Sequence, residues 1–207
     1  MSTIKLFRYP LSGHSHRVEN FLSILGLDAK IITVDLAKGE HKTPSFLKKN
    51  VFGQVPVLED GPITLADSNA ILIYLASKYD SKRQWLPLGA EEAAEVQRFL
   101  SVAAGEIAHG PAAARLVTVF GASLDAEAAI RSAHALLQTL ETHLQGRDWL
   151  AGEHATIADI ADYTYIAHAP EGNVLLDDYP NIRAWLARVE ALPGFCPMQA
   201  TASDLTT

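Results

Sequence analysis

The chain has 207 residues, 48% hydrophobic and 20% charged, with a formal net charge of −7 at pH 7. Such a composition fits a globular chain long enough for one or two cored domains and excludes a disordered one. No run of Lys or Arg exceeds two residues, and no apolar run reaches the ~18 residues of a membrane span. Neither nucleic acid nor a bilayer is therefore expected as a partner, and the cytoplasm is the expected location.

Residues 4–7 carry a strand pattern that runs into the turn Tyr9-Pro10-Leu11-Ser12-Gly13-His14-Ser15-His16. A helix is predicted over 14–25, with Val18, Phe21, Leu22 and Leu25 at helical spacing and Gly26 as its stop. Residues 30–34, with the β-branched run Ile31-Ile32-Thr33-Val34, read as a second strand, and 44–50 as a short helix capped by Thr43. Segments 56–59 and 63–65 flank Asp60-Gly61, a strong hairpin signal. The next helix, 67–79, places Ala70, Ile71, Tyr74 and Leu75 on one face. The order β-α-β-α-β-β-α predicts a small α/β unit with helices on a mixed sheet.

Residues 80–88 are polar, hold a proline and read as a linker. All that follows reads as helix, with segments at 91–108, 125–145, 156–167 and 182–191. The expected division is an α/β domain over 1–79, a linker over 80–88 and an all-α bundle over 89–207. The single cysteine, Cys196, excludes an internal disulfide and a CxxC pair, and reads as a structural or surface thiol. The eight histidines are scattered, without the spacing of a zinc site, so no metal is expected.

Four places carry candidate chemistry. The start of a helix exposes unpaired N–H groups and a partial positive charge, which stabilise an anion. At the first helix start, Ser12 or Ser15 can add a hydroxyl donor, with His14 in reach to assist. A free thiol has a pKa of ~8.5, and lowering it by ~2 units takes about 2.7 kcal/mol. One hydrogen bond to a charged group (~1.5–3 kcal/mol) plus a helix terminus (~0.3–1 kcal/mol) is of that size. Val55-Pro56, ahead of a strand, can offer backbone groups to a bound peptide, and Gln54 can reach a terminal carboxylate. At the second helix start the amides and the Ser68 hydroxyl suit a carboxylate, while Asp67 suits an ammonium. His41 and Lys42 can supply positive charge to another carboxylate. Each feature alone is equally a plain cap, a strand-starting proline or a solvated loop; their order and separation carry the reading.

At these residues the chain resembles a glutathione transferase, nearly full length and most strongly over 4–79. Ser12-Gly13-His14-Ser15-His16-Arg17-Val18 is similar to the serine motif of the zeta class, and the chain looks like a serine-type, zeta- or theta-like bacterial member. The resemblance implies a thioredoxin-like N-terminal domain followed by an all-α helical bundle. It implies that Ser12 activates the sulfur of glutathione, with Ser15, one helical turn on, as the alternative hydroxyl. Gln54-Val55-Pro56 resembles the family's cis-proline loop, Asp67-Ser68 its γ-glutamyl site, and His41 and Gln54 its glycyl carboxylate site. Thr156-Ile157-Ala158-Asp159 resembles the family's buried capping box. Zeta-like members carry a cysteine where His14 stands, so isomerisation that depends on it is not expected here. The implied function is glutathione transfer to a small hydrophobic electrophile by a homodimer, a detoxification chemistry. The alternatives are a non-catalytic binding module of the same fold and glutathione-dependent reduction of disulfides or peroxides.

Overall fold

The computed structural model describes residues 4–201. Those residues form two compact units, 4–82 with 193–199 and 83–192 with 200–201.

The first unit is built on a four-stranded sheet, β1 (Ile4–Arg8), β2 (Ala29–Thr33), β3 (Val57–Asp60) and β4 (Ile63–Ala66), in the order β2-β1-β3-β4. β1 pairs parallel with β2, which requires the crossover helix α1 (Gly13–Ile24), and antiparallel with β3. Successive side chains of a strand point to opposite faces. Leu6 and Leu58, paired across β1 and β3, are fully buried, as are Val18 and Phe21 of α1 and Ile71, Leu72 and Leu75 of α3 (Ser68–Tyr79). Each such side chain is worth ~1.5–3 kcal/mol of burial. Phe7 and Val57 point the other way, into a cluster with Val34 and with Phe46 of α2 (Pro44–Leu47). The Asp60-Gly61 turn joins β3 to β4 as expected. Asp60 is buried, and its Oδ2 accepts from Lys78 Nζ at 2.6 Å, Tyr79 Oη at 2.5 Å and Tyr74 Oη at 2.8 Å, fixing the end of α3 to the hairpin. Burial alone would push this carboxyl up, yet those three donors hold its pKa down at about 2.

The second unit is helical: α4 (Ala90–Ala104), α5 (Glu106–His109), α6 (Pro111–Phe120), α7 (Ala126–His143), α8 (Ile157–Ala167) and α9 (Pro180–Glu190). The segment expected as one helix over 91–108 is broken at Gly105, and α6 follows where no separate helix is predicted. Gly105 and Gly110 stand between these pieces. A Cβ on Gly110 would stand 2.9 Å from the Glu106 carbonyl oxygen and 3.0 Å from the Ala133 backbone nitrogen of α7, so the chain passes there only as glycine.

Helix α8 is buried along its whole course from Ile157 to Ile166. Its start is a capping box: Thr156 caps the helix and Asp159 reaches back to the Thr156 amide at 2.8 Å. The other Asp159 oxygen accepts from the Leu150 amide at 3.0 Å and the Trp185 indole at 2.9 Å. Burial pushes the Asp159 carboxyl up, and these donors pull against it. Among the described residues, no helix is long and apolar enough to cross a membrane.

Candidate functional site

Ser12 is the N-cap of α1, in extended backbone. Its Oγ accepts from the Ser15 amide at 3.3 Å. A hydroxyl has one proton to donate and two lone pairs, so capping leaves the proton available and the two roles are compatible. Ser15 differs: it is only 1% exposed, and its own hydroxyl accepts from the Tyr9 amide at 3.2 Å. The two serines of the turn are thus divided, one partly exposed and one turned into the fold.

His14 and Ser68 meet across the two helix starts, with Ser68 Oγ 3.4 Å from His14 Nδ1. Between them stands Arg17, 1% exposed, whose Nη1 lies 3.1 Å from His14 Nδ1, 3.2 Å from Ser68 Oγ and 3.5 Å from Asn69 Oδ1. A guanidinium only donates, so His14 Nδ1 accepts and the imidazole proton sits on Nε2. Burial, and then the Arg17 charge, push the His14 pKa down to about 3. His14 is accordingly a neutral imidazole, so any assistance it gives is as an N–H group and not as a cation. Asp67 caps α3 through the Ala70 amide at 2.9 Å and holds the left-handed φ of 73°.

The second group of predicted residues gathers at the loop before β3. His41 lies in a 3-10 turn, Glu40–Lys42, and its buried Nδ1 has no hydrogen-bond partner. Lys42 Nζ donates to the carbonyls of Phe52 at 3.1 Å and Gly53 at 3.0 Å, so it fastens the turn to the loop. Gln54 is exposed, and its carbonyl accepts from Asn50 Nδ2 at 2.9 Å. The Val55–Pro56 bond is cis, and Val55 packs on the Val34–Phe46–Val57 cluster.

Arg17 and Asn69 are the polar residues of this region that sequence reasoning does not assign. The available signal was a charged residue beside Val18 and one turn before Phe21, on a helix that packs its apolar face inward. In the second unit Arg115 donates to Glu171 at 2.6 Å inside the helical packing, and the buried Tyr163 donates to the exposed Glu190 at 2.8 Å. His109 lines a cavity of about 680 Å³ with Phe99, Val102, Leu136 and Leu140. Burial, with Glu19 adding to it, raises the Cys196 thiol to about 11, which keeps it protonated at neutral pH. Among the described residues, no group of three or more His, Cys, Asp or Glu is placed to hold a metal ion.

A mixed sheet of this order with a cis-proline before its third strand, followed by a helical unit, is a thioredoxin-like domain joined to a helical one. Residues 2–77 match the family model for the glutathione S-transferase N-terminal domain, and 113–193 that for the C-terminal domain. The chain is 35% identical to Glutathione S-transferase 3 of Zea mays, over 94% of this chain and 92% of that protein. A solved glutathione S-transferase from Pseudomonas fluorescens superposes with a TM-score of 0.90 at 31% identity, over 96% of this chain and all of that one (100%). A glutathione transferase homolog from Drosophila mojavensis, solved with bound glutathione, gives a TM-score of 0.86 at 28% identity, over 93% and 90% of the two chains. The chain belongs to the glutathione S-transferase family.

Proposed function

We propose that this chain is a serine-type glutathione transferase in which the Ser12 hydroxyl donates a hydrogen bond to the glutathione sulfur and so favours loss of the thiol proton to solvent. The thiolate so favoured attacks a small hydrophobic electrophile, and no covalent enzyme intermediate forms. The observation that carries this reading is the division of the opening turn: Ser12 is partly exposed with its proton available, while Ser15 is buried against Tyr9. The α1 amides and the Ser12 hydroxyl together supply stabilisation on the scale of the ~2.7 kcal/mol that a two-unit shift takes.

The remaining residues bind the rest of the tripeptide. Val55 presents its backbone to the cysteinyl portion, beside Pro56. Asp67 takes the γ-glutamyl ammonium and Ser68, with the α3 amides, its carboxylate. His41 and Gln54 take the glycyl carboxylate, supported by the buried His41 Nδ1 that lacks a partner. Lys42 holds the turn that carries His41. His14 assists as a neutral N–H group. Glutathione binding is assigned to residues 1–79 and electrophile selection to 89–207, with 80–88 as linker, in a cytoplasmic homodimer.

The test is the thiol pKa of bound glutathione, followed by ultraviolet thiolate absorbance in wild type and Ser12→Ala. Wild type should show a value ~1–2 units below that of free glutathione, and the variant should return most of that difference. An equal value in both proteins removes Ser12 from the chemistry. Failure of wild type to bind immobilised glutathione removes the transferase reading itself.

A further inference from the structure

Helix α1 carries two buried polar side chains that the proposed chemistry does not use. His16 is 3% exposed and Asn20 1%, one helical turn apart on a single face. Burying such groups is costly unless they are paired. Both are paired by the backbone of one residue from the far end of the chain, through the two peptide groups that flank it. His16 Nε2 lies 2.7 Å from the Cys196 carbonyl oxygen, and the Cys196 amide donates to Asn20 Oδ1 at 3.0 Å. The carbonyl can only accept, so His16 donates from Nε2. The Phe195 ring stands edge-on to the His16 ring, 6.4 Å between centroids.

The same segment, Pro193–Gln199, is part of the first unit and touches α1 at its other end too. Gly194 has φ of +82°, and a Cβ there would stand 2.7 Å from the Ser23 carbonyl oxygen and 3.0 Å from Ile24 Cα. The segment therefore runs from the last turn of α1 toward the first, Gly194 against Ser23 and Cys196 against Asn20 and His16. Met198 is buried further along it. Nothing in this contact is a generic apolar patch. It is a backbone strap seated by two matched hydrogen bonds and one close glycine approach.

We propose that the 193–199 segment is a strap that sets the position of α1, and that His16 and Asn20 are positioning residues for the Ser12 turn. The inference rests on the reading of Ser12 as the group that stabilises the glutathione thiolate. His16 lies four residues after Ser12, and its amide donates to the Ser12 carbonyl at 2.9 Å, so it belongs to the turn that presents the hydroxyl. A helix held at both ends of one face cannot slide or tilt without breaking the Cys196 pairing. A misplaced donor loses catalytic stabilisation steeply, because the group acts only at hydrogen-bond distance.

The experiment compares wild type, Asn20→Ala, His16→Asn and His16→Gln at saturating glutathione. A glutamine amide reaches where the imidazole Nε2 does, and the shorter asparagine does not. The strap predicts that Asn20→Ala and His16→Asn raise the bound thiol pKa by about half a unit or more, a roughly threefold change in the ionisation equilibrium. It also predicts that kcat falls more than KM rises, and that His16→Gln restores the wild-type thiol pKa. Lower melting temperatures with an unchanged thiol pKa in both disrupting variants would assign the strap to stability alone and overturn the proposal. Should Asn20→Ala fail to fold, the two His16 variants decide the question between them. A wild type that binds glutathione without lowering its thiol pKa overturns the Ser12 reading and the strap's role with it. A lowered wild-type value retained in every variant overturns the strap alone.

Discussion

The Arg17 guanidinium donates to the Ser68 hydroxyl at 3.2 Å, and this bond joins the first turn of α1 to the first residue of α3 through a buried cation. Ser12 and Ser68, singled out as separate helix starts, thus stand on helices linked by one polar cluster. His14 belongs to it by accepting from the same Arg17 nitrogen at 3.1 Å. An anion bound at these two helix starts meets a positive charge fixed behind them and a histidine that stays neutral.

The charge of Arg17 is testable through its neighbour. Burial is the larger cause of the low His14 pKa of about 3, and the Arg17 charge the second. Arg17→Gln removes the charge and keeps an amide donor. The His14 pKa should rise partway toward 6.5, read from its imidazole carbon shifts over a pH titration. A His14 that remains untitrated in the variant, down to the wild-type value, would mean that burial alone sets its state.

How stability responds to acid follows from the same residues. An unfolded His14 protonates near 6.5, whereas the folded one resists until about 3. Between those values the unfolded chain holds more protons, so stability is full above the upper one and declines as pH falls through the window. Asp60 and Glu171 act in a lower window, because both are held at about 2 against ordinary values of 3.8 and 4.5. Their contribution is present above the ordinary values and is lost as pH falls toward about 2. Urea midpoints should therefore drop between pH 7.5 and 5, and His14→Gln should reduce that drop. Equal drops in wild type and variant would contradict the assignment to His14.

Much of this structure was legible because its signals are local. Thr43, Asp67 and Thr156 cap their helices through their own side chains, and Asp60-Gly61 turns the hairpin, so a window of four residues suffices. The Ser12 cap was legible for the same reason. What was not legible depends on residues far apart in the chain. The break at Gly110 answers to Ala133 on another helix, Arg17 finds its acceptor at Ser68, and Cys196 meets Asn20 across nearly the whole sequence. Strand 29–33 begins one residue before the expected segment 30–34, since pairing with Ile4 on β1 sets the boundary. The neutrality of His14 likewise follows from packing, which no spacing rule contains.

The pair Arg115–Glu171 tests how a buried charge is held in the second unit. Arg115 Nε donates to Glu171 Oε2 at 2.6 Å, while the other carboxylate oxygen takes His168 Nδ1 at 2.8 Å and the Thr201 amide at 3.0 Å. Burial would push Glu171 up, and these donors bring it down to about 2 instead. The backbone around the pair has little freedom to adjust, because a Cβ on Gly172 would stand 2.6 Å from the Arg115 amide nitrogen. Glu171→Gln removes the charge that Arg115 faces inside the fold, and breaking a buried pair in this way costs about 3–5 kcal/mol. In a domain of this size that lowers Tm by roughly 6 °C or more. The double variant Arg115→Met, Glu171→Leu removes both charges together and should lose less than Glu171→Gln alone, since no uncompensated ion is left behind. Differential scanning calorimetry of wild type, Glu171→Gln, Arg115→Met, Glu171→Leu and the double variant decides it. A double variant as unstable as the sum of its single variants would show that the two residues contribute independently and that their ion pair adds nothing to stability.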